Sequence, residues 1–176
     1  MWHDYEASYR ATLGNELFVS WREVGAQQKA ENVMRVCKRI QVTSAVEIGC
    51  GTGAVLKRLQ ECQFAKQFVC VDVSFSAVDF AKRVCGDSVL CAFVASAMAL
   101  PFRDSAFDVA ILSHVIEHLD EPAHALAEAS RIARYVVVEV PTEVVLSNVI
   151  RCKVLGKPYA SIEGAGHVQF WSTGSI

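Results

Sequence analysis

The sequence predicts an α/β protein: a doubly wound, mostly parallel sheet with helices on both faces, in a single domain over residues 1–176. Three observations predict it. Short apolar runs suited to buried parallel strands alternate with stretches of helical periodicity between residues 42 and 141. The first run stops at glycines in every second position, Gly49, Gly51 and Gly53, and opens into a helix-like stretch at Ala54. A strand that ends in a glycine turn and passes into a helix is the setting in which such sheets bind nucleotide-like ligands. Breaker residues punctuate the remainder at Gly86-Asp87, Glu121-Pro122 and Pro141.

The whole chain sets bounds. A length of 176 residues suits one domain with a normal core. The formal net charge of −2 offers no general attraction for nucleic acid or an anionic membrane, so neither is expected as a partner. No apolar stretch has the length of a membrane span. The first residues, Met1-Trp2-His3-Asp4-Tyr5-Glu6, are polar and acidic where a signal peptide is basic and then apolar. The seven cysteines (37, 50, 62, 70, 85, 91, 152) form no C-x-x-C pair and mostly sit in apolar segments. They read as small buried hydrophobes, and the expected compartment is the reducing cytoplasm.

In chain order, residues 1–25 are rich in aromatics (Trp2, Tyr5, Tyr9, Phe18, Trp21) with a break expected at Gly14-Asn15. This segment is either a lid over a ligand or a piece packed on the sheet. Residues 26–40 place Val33, Val36, Cys37 and Ile40 on one helical stripe. The first strand leads to the glycine turn, and a helix follows from 54 to 60. Residues 68–73 are the second strand. Ser74 is a helix N-cap for 75–84, with Ala77, Val78, Ala81 and Val84 inward. Strands are expected at 89–95 and 107–112. Pro122 sits near the first position of a helix running to about residue 133. The fifth strand, 135–140, is stopped by Pro141. Residues 142–176 read as an incomplete C-terminal region, with an apolar stretch at 144–155 and a Gly-His-aromatic segment at 166–172. Five strands would leave one sheet edge open. The C-terminal segment or a second copy in a homodimer is expected to cover it.

The glycine turn carries a chemical preference. Its spacing is G-x-G-x-G rather than the G-x-G-x-x-G of dinucleotide sites, and Glu47 stands two residues before Gly49. A pyrophosphate gains nothing from that carboxylate, whereas an ammonium or sulfonium is attracted to it. Asp72 lies about twenty residues further on, at a strand end, where a carboxylate can accept both hydroxyls of a ribose. Alternatively it is a turn or capping acid.

Ala45-Val-Glu-Ile-Gly-Cys-Gly-Thr-Gly53 resembles the first motif of the class I S-adenosylmethionine-dependent methyltransferases of the small-molecule, type 11-like group. Val71-Asp72-Val73-Ser74 is similar to that family's second strand end. Ala95-Ser-Ala-Met-Ala-Leu-Pro-Phe102 is similar to its adenine-side loop. Phe107-Asp-Val-Ala110 with Ser113-His-Val-Ile-Glu-His118 is similar to its fourth strand and following turn. The ordered set covers about residues 42–141. The resemblance implies a Rossmann-like fold that binds S-adenosyl-L-methionine and releases S-adenosyl-L-homocysteine. It implies that Glu47, Gly49, Cys50, Gly51 and Gly53 surround the methionine part, and that Asp72 meets the ribose. Val73, Ser96 and Ala97 then meet the adenine, and Ser113 lies near the donor. The family commonly has an aspartate where Ser96 stands. A neutral serine oxygen accepts a weaker bond than a carboxylate.

Methyl transfer from a sulfonium is an in-line displacement for which positioning supplies most of the rate. A general base is needed only when the acceptor loses a proton. His114 is the first candidate for that role and His167 the second, with a hydrogen-bonded structural histidine as the alternative at each. Residues 114–118 also fit H-x-x-E-H, a zinc pattern that belongs on a long helix; here it follows a strand, and no metal is expected. No N/D-P-P-Y/F/W follows the fourth strand, which argues against amino methylation of DNA adenine or protein glutamine, and no Pro-Cys, which argues against cytosine C5 chemistry. Elimination therefore favours a small-molecule hydroxyl or amine as acceptor. A donor-binding module without turnover, and a nicotinamide-dependent oxidoreductase, are the competing readings.

Overall fold

The structure, a computed structural model, describes residues 4–86 and 89–140. Two helices come first. In α1 (Tyr5–Thr12), the Asp4 carboxylate accepts from the Ala7 N–H at 3.0 Å. In α2 (Glu16–Cys37), Asn15 accepts from Leu17 N at 2.9 Å and Phe18 N at 3.4 Å. Each cap satisfies N–H groups that a helix start leaves without intrahelical partners. The Gly14-Asn15 break is thus a junction between two helices. The second helix begins about ten residues earlier than the apolar stripe indicates. Its inward face is Ala26, Ala30, Val33 and Cys37, while Val36 is exposed. Val36 lies one position round from Val33 and Cys37, off the line that meets the sheet.

The alternating part follows as β1 (Ser44–Ile48), α3 (Ala54–Glu61), β2 (Gln67–Asp72), α4 (Phe75–Cys85), β3 (Val89–Val94), β4 (Phe107–Ser113), α5 (Pro122–Ile132) and β5 (Ala133–Glu139). The strands form one sheet in the order β3-β2-β1-β4-β5, and every pairing is parallel. The predicted doubly wound α/β sheet is therefore present. Ser74 caps α4 as expected, accepting from Ala77 N at 3.1 Å. The fifth strand starts two residues before its predicted position because Ala133 pairs with Phe107.

Strand alternation builds two cores. Ala45, Phe68, Cys70, Val109 and Ile111 pack with the inner faces of α2, α3 and α4. Val46, Ile48, Val69, Val71, Ala110 and Leu112 pack with Ala129 and Ile132 of α5 and with Leu100. Complete burial of each Val, Leu, Ile or Phe side chain among them contributes roughly 1.5–3 kcal/mol. The central strands are buried on both faces, so their sequences are continuous apolar runs.

Polar clasps fix the ends. At the start of β1, the Asp108 carboxylate accepts from Thr43 N and Ser44 N at 2.8 and 2.9 Å. Arg131 of α5 donates to Glu128 and Asp104 and to the carbonyls of Leu100 and Phe102, which pins residues 100–104. The expected C-terminal region, the Gly-His-aromatic segment with His167, and Cys152 all lie outside the described residues. Of the other cysteines, 37, 50, 70 and 85 are buried, whereas Cys62 and Cys91 are exposed, contrary to a uniformly buried set. Among the described residues no helix is long and apolar enough to cross a membrane.

Candidate active site

The strand order reverses between β1 and β4. The chain runs outward from β1 to β3, then returns to place β4 on the other side of β1. At such a reversal the loops leaving the two strands part and open a crevice at their C-terminal ends. The glycine turn leaves β1, and residues 113–118 leave β4.

The glycine turn is held by backbone bonds. Gly49 N and Cys50 N both donate to Val71 O, at 2.7 and 3.0 Å. Gly49 and Gly51 have φ of 74° and 52°, and both are approached closely. A Cβ on Gly49 would stand 2.5 Å from a Val115 methyl, and one on Gly51 2.7 Å from the Tyr9 hydroxyl. Only glycine meets both the backbone and the spatial requirement. The turn thus lies between the loop after β4 and helix α1.

Two acids flank it. Asp72, 6 % exposed, accepts from Gly51 N through Oδ2 at 2.9 Å and from Ser74 N through Oδ1 at 3.0 Å. It is a turn-bracing acid as well as the expected ribose acceptor, and a carboxylate has room for about four donors. Burial raises its pKa, against the backbone bonds and the Arg22 charge. Glu47, 2 % exposed, sits in β1 between Cys70 and Ile111, and its Oε2 has no hydrogen-bond partner. Burial pushes its pKa up to about 8, opposed by Lys29. An unmade bond on a buried carboxylate is costly. A cationic ligand group beside it would restore its charge, which fits an amino acid ammonium or a sulfonium.

The remaining expected residues lie at or after the C-terminal ends of β1, β2, β3 and β4. Val73, Phe75 and Val94 are exposed, Val94 pairing with Asp72 at the ends of β3 and β2. The Ser96 hydroxyl accepts from Met98 N at 3.2 Å, and Ala97 packs on the core under α5. Buried Cys50 has its thiol against Cys70. Ser113 donates to Glu139 Oε2 at 2.6 Å, while Asn32 donates to Glu139 Oε1 at 2.7 Å. His114 follows, with φ 57° and its N–H bonded to Glu139 O at 2.8 Å. Its Nδ1 is 3.6 Å from Glu117 Oε1.

Sequence reasoning missed Glu117 except as part of the zinc pattern. It is fully buried in the 3-10 turn Ile116–His118, and burial raises its pKa to about 7. Among the described residues no group of three or more His, Cys, Asp or Glu is placed to hold a metal. The sequence marks Tyr9 only as one aromatic of the first segment; its approach to Gly51 from α1 arises through the tertiary fold, and no local motif announces it.

A parallel sheet with a glycine turn, a buried strand-end acid and a second acid beneath the turn defines a nucleoside-binding α/β protein whose ligand carries a positive group. Residues 46–135 match the methyltransferase domain family, and the chain belongs to it. The cofactor of this family is S-adenosylmethionine, and the residues described fit it. A curated O-methyltransferase of Aspergillus sclerotiorum is 27 % identical over 137 residues, covering 76 % of this chain and 47 % of that protein. The chain therefore spans about half the length of that relative. A Thermotoga maritima structure, described as an S-adenosylmethionine-dependent methyltransferase and possible histamine N-methyltransferase, is 24 % identical with TM-score 0.66. That match covers 99 % of this chain and 76 % of the other. Geranyl diphosphate C-methyltransferase of Streptomyces coelicolor, crystallised with S-adenosyl-L-homocysteine, is 20 % identical with TM-score 0.54. It matches 63 % of this chain and 44 % of its own length.

Proposed function

We propose that the protein transfers a methyl group from S-adenosylmethionine to a hydroxyl or amine of a small molecule. The observation that carries the acceptor reading is the His114–Glu117 pair. A histidine at the end of β4, one residue from the Val115 that touches Gly49, has a fully buried carboxylate 3.6 Å from its Nδ1. The cofactor supplies an electrophilic methyl and leaves as a neutral thioether. His114 Nε2 takes the acceptor proton, and Glu117 stabilises the resulting imidazolium. His167 remains the second candidate base. The three relatives bear names for oxygen, nitrogen and carbon methylation, so similarity does not choose the atom.

Purified protein incubated with S-adenosylmethionine and a metabolite panel tests the reading, with S-adenosylhomocysteine quantified by mass spectrometry. Turnover that falls at least tenfold in His114→Ala, with cofactor affinity kept, supports it. Turnover unchanged by that substitution removes His114 as the general base and leaves His167 as the candidate.

A donor-binding module without turnover is the second reading. It is favoured by Ser96, whose oxygen already serves Met98 N and supplies no carboxylate to an adenine amino group. Cofactor binding with no methylated product across the panel selects it. The net charge of −2 supports a small-molecule partner over nucleic acid, and the six free cysteines among the described residues support the cytoplasm. The edge of β5, with Tyr135 and Val138 partly exposed, supports a homodimer, which sedimentation analysis tests.

A further inference from the structure

We propose that residues 144–155 of this chain dock on an apolar stripe of α2 formed by Leu17, Trp21 and Val24. The three are spaced i, i+4 and i+7, so they share one helix face. They are 81 %, 68 % and 78 % exposed. The face that α2 turns to the core is a different one, made by Ala26, Ala30, Val33 and Cys37. A contiguous apolar face left in solvent marks an interaction site.

The fold brings the segment to the stripe. α2 leads into β1, whose start lies at the Asp108 clasp, so the first half of α2 stands toward the crevice end of the sheet. Asn32 of α2 donates at 2.7 Å to Oε1 of Glu139, the last residue of β5. The chain therefore leaves β5 beside α2. Measured back along α2 from Asn32, Val24 lies about 12 Å away and Leu17 about 22 Å. Residues 140–143 reach up to about 14 Å when extended, which sets residue 144 level with Val24.

The chemistry of the two surfaces matches. Residues 144–155 read Val-Val-Leu-Ser-Asn-Val-Ile-Arg-Cys-Lys-Val-Leu, mostly apolar, and their only charges are the basic Arg151 and Lys153. Exposed Glu16 and Glu23 run along one flank of the stripe, seven residues apart on α2. Apolar groups find apolar groups, and the basic pair finds acids at the rim. Gly25 adjoins the stripe, and a Cβ built there meets nothing within 4 Å among the described residues. Its bare backbone leaves room for another piece of chain to lie close.

Hydrogen exchange on the full chain tests the docking. Amides of residues 144–155 should be protected in the parent. Leu17→Asp combined with Trp21→Asp should speed their exchange on the order of tenfold or more, while residues 26–37 and β1 keep their parent rates. Neither position belongs to the core, and the first lies in the opening turn of α2, where negative charge suits a helix start. Glu23→Lys should give a smaller loss that shrinks as salt is added. A second readout is covalent. In a chain carrying Cys62→Ser, Cys91→Ser and Val24→Cys, a short bis-maleimide should bridge positions 24 and 152 within one chain, as read by peptide mass spectrometry. Exchange in 144–155 that is as fast in the parent as in the double variant overturns the docking. So does the absence of a bridge. A bridge found only between two chains also overturns it and assigns the stripe to a second copy.

Discussion

The Ser74 hydroxyl at the head of α4 donates to Glu6 Oε2 of α1 at 2.6 Å. The same carboxylate accepts from Ser76 N at 3.1 Å and, through Oε1, from Ser76 Oγ at 2.6 Å. One glutamate thus ties the N-terminal helix to a helix start, where backbone N–H groups and the helix dipole favour negative charge. These bonds lower its pKa to about 2, with the Ser74 bond the largest contribution. Its stabilisation is complete above pH 4.5 and is lost as pH falls toward 2. Glu6→Ala should speed hydrogen exchange in residues 5–12 on the order of tenfold at neutral pH while leaving β1 and β4 protected. Unchanged exchange would show that Tyr5 and Tyr9 hold α1 without the tie.

Asp72 bridges Gly51 N and Ser74 N. Asp72→Ala removes both acceptors and the proposed ribose contact together. Loss of the two buried bonds should destabilise the fold by roughly 1–3 kcal/mol in urea titration. S-adenosylhomocysteine affinity should fall at least tenfold beyond what unfolding accounts for. An affinity that stays at the parent value would confine Asp72 to bracing the turn.

Gly51→Ala places a methyl against the Tyr9 hydroxyl at positive φ. A cost of roughly 1–3 kcal/mol is expected from the backbone strain. Tyr9→Ala in the same chain should relieve the steric part but not the strain. A double-mutant cycle in thermal unfolding measures the difference. Strict additivity would mean that the hydroxyl does not crowd Gly51.

Burial raises Glu117 to about 7 and Glu47 to about 8 from the ordinary 4.5. The folded chain therefore binds these protons more tightly than the unfolded chain. Stability from this source is greatest below pH 4.5 and declines as pH rises to about 7 for Glu117 and about 8 for Glu47. Glu117→Gln should remove its share. At pH 8 the variant should exceed its parent by on the order of 2 kcal/mol, and the two should converge near pH 5. A variant weaker than its parent at pH 8 would show that the ionised carboxylate is held by its neighbours.

The strands were legible because a sheet buried on both faces writes itself as apolar runs, and Ser74 and Pro122 marked helix starts through their own backbone chemistry. The glycine turn was legible because it meets a demand within a few residues of itself, and Asp72 because it stands at the end of the next strand, where it braces that turn through Gly51 N. The start of α2 was not, since Leu17, Trp21 and Val24 are apolar yet exposed and blur the stripe. Glu117 was hidden for another reason. Its meaning comes from complete burial beside His114, and that depends on how the turn after β4 packs. Tyr9 reaches the glycine turn from α1, which precedes the first strand.

The Asp108 clasp lies at the opposite end of β1 from the glycine turn, a strand length of roughly 15 Å away. Among the described residues the five strands run the same way, so the loops entering them lie on the clasp side and the loops leaving β1 to β4 lie on the crevice side. The two ends are therefore separable by engineering. A fluorophore on exposed Cys62, before the chain enters β2, would report on folding without standing in the path of a ligand.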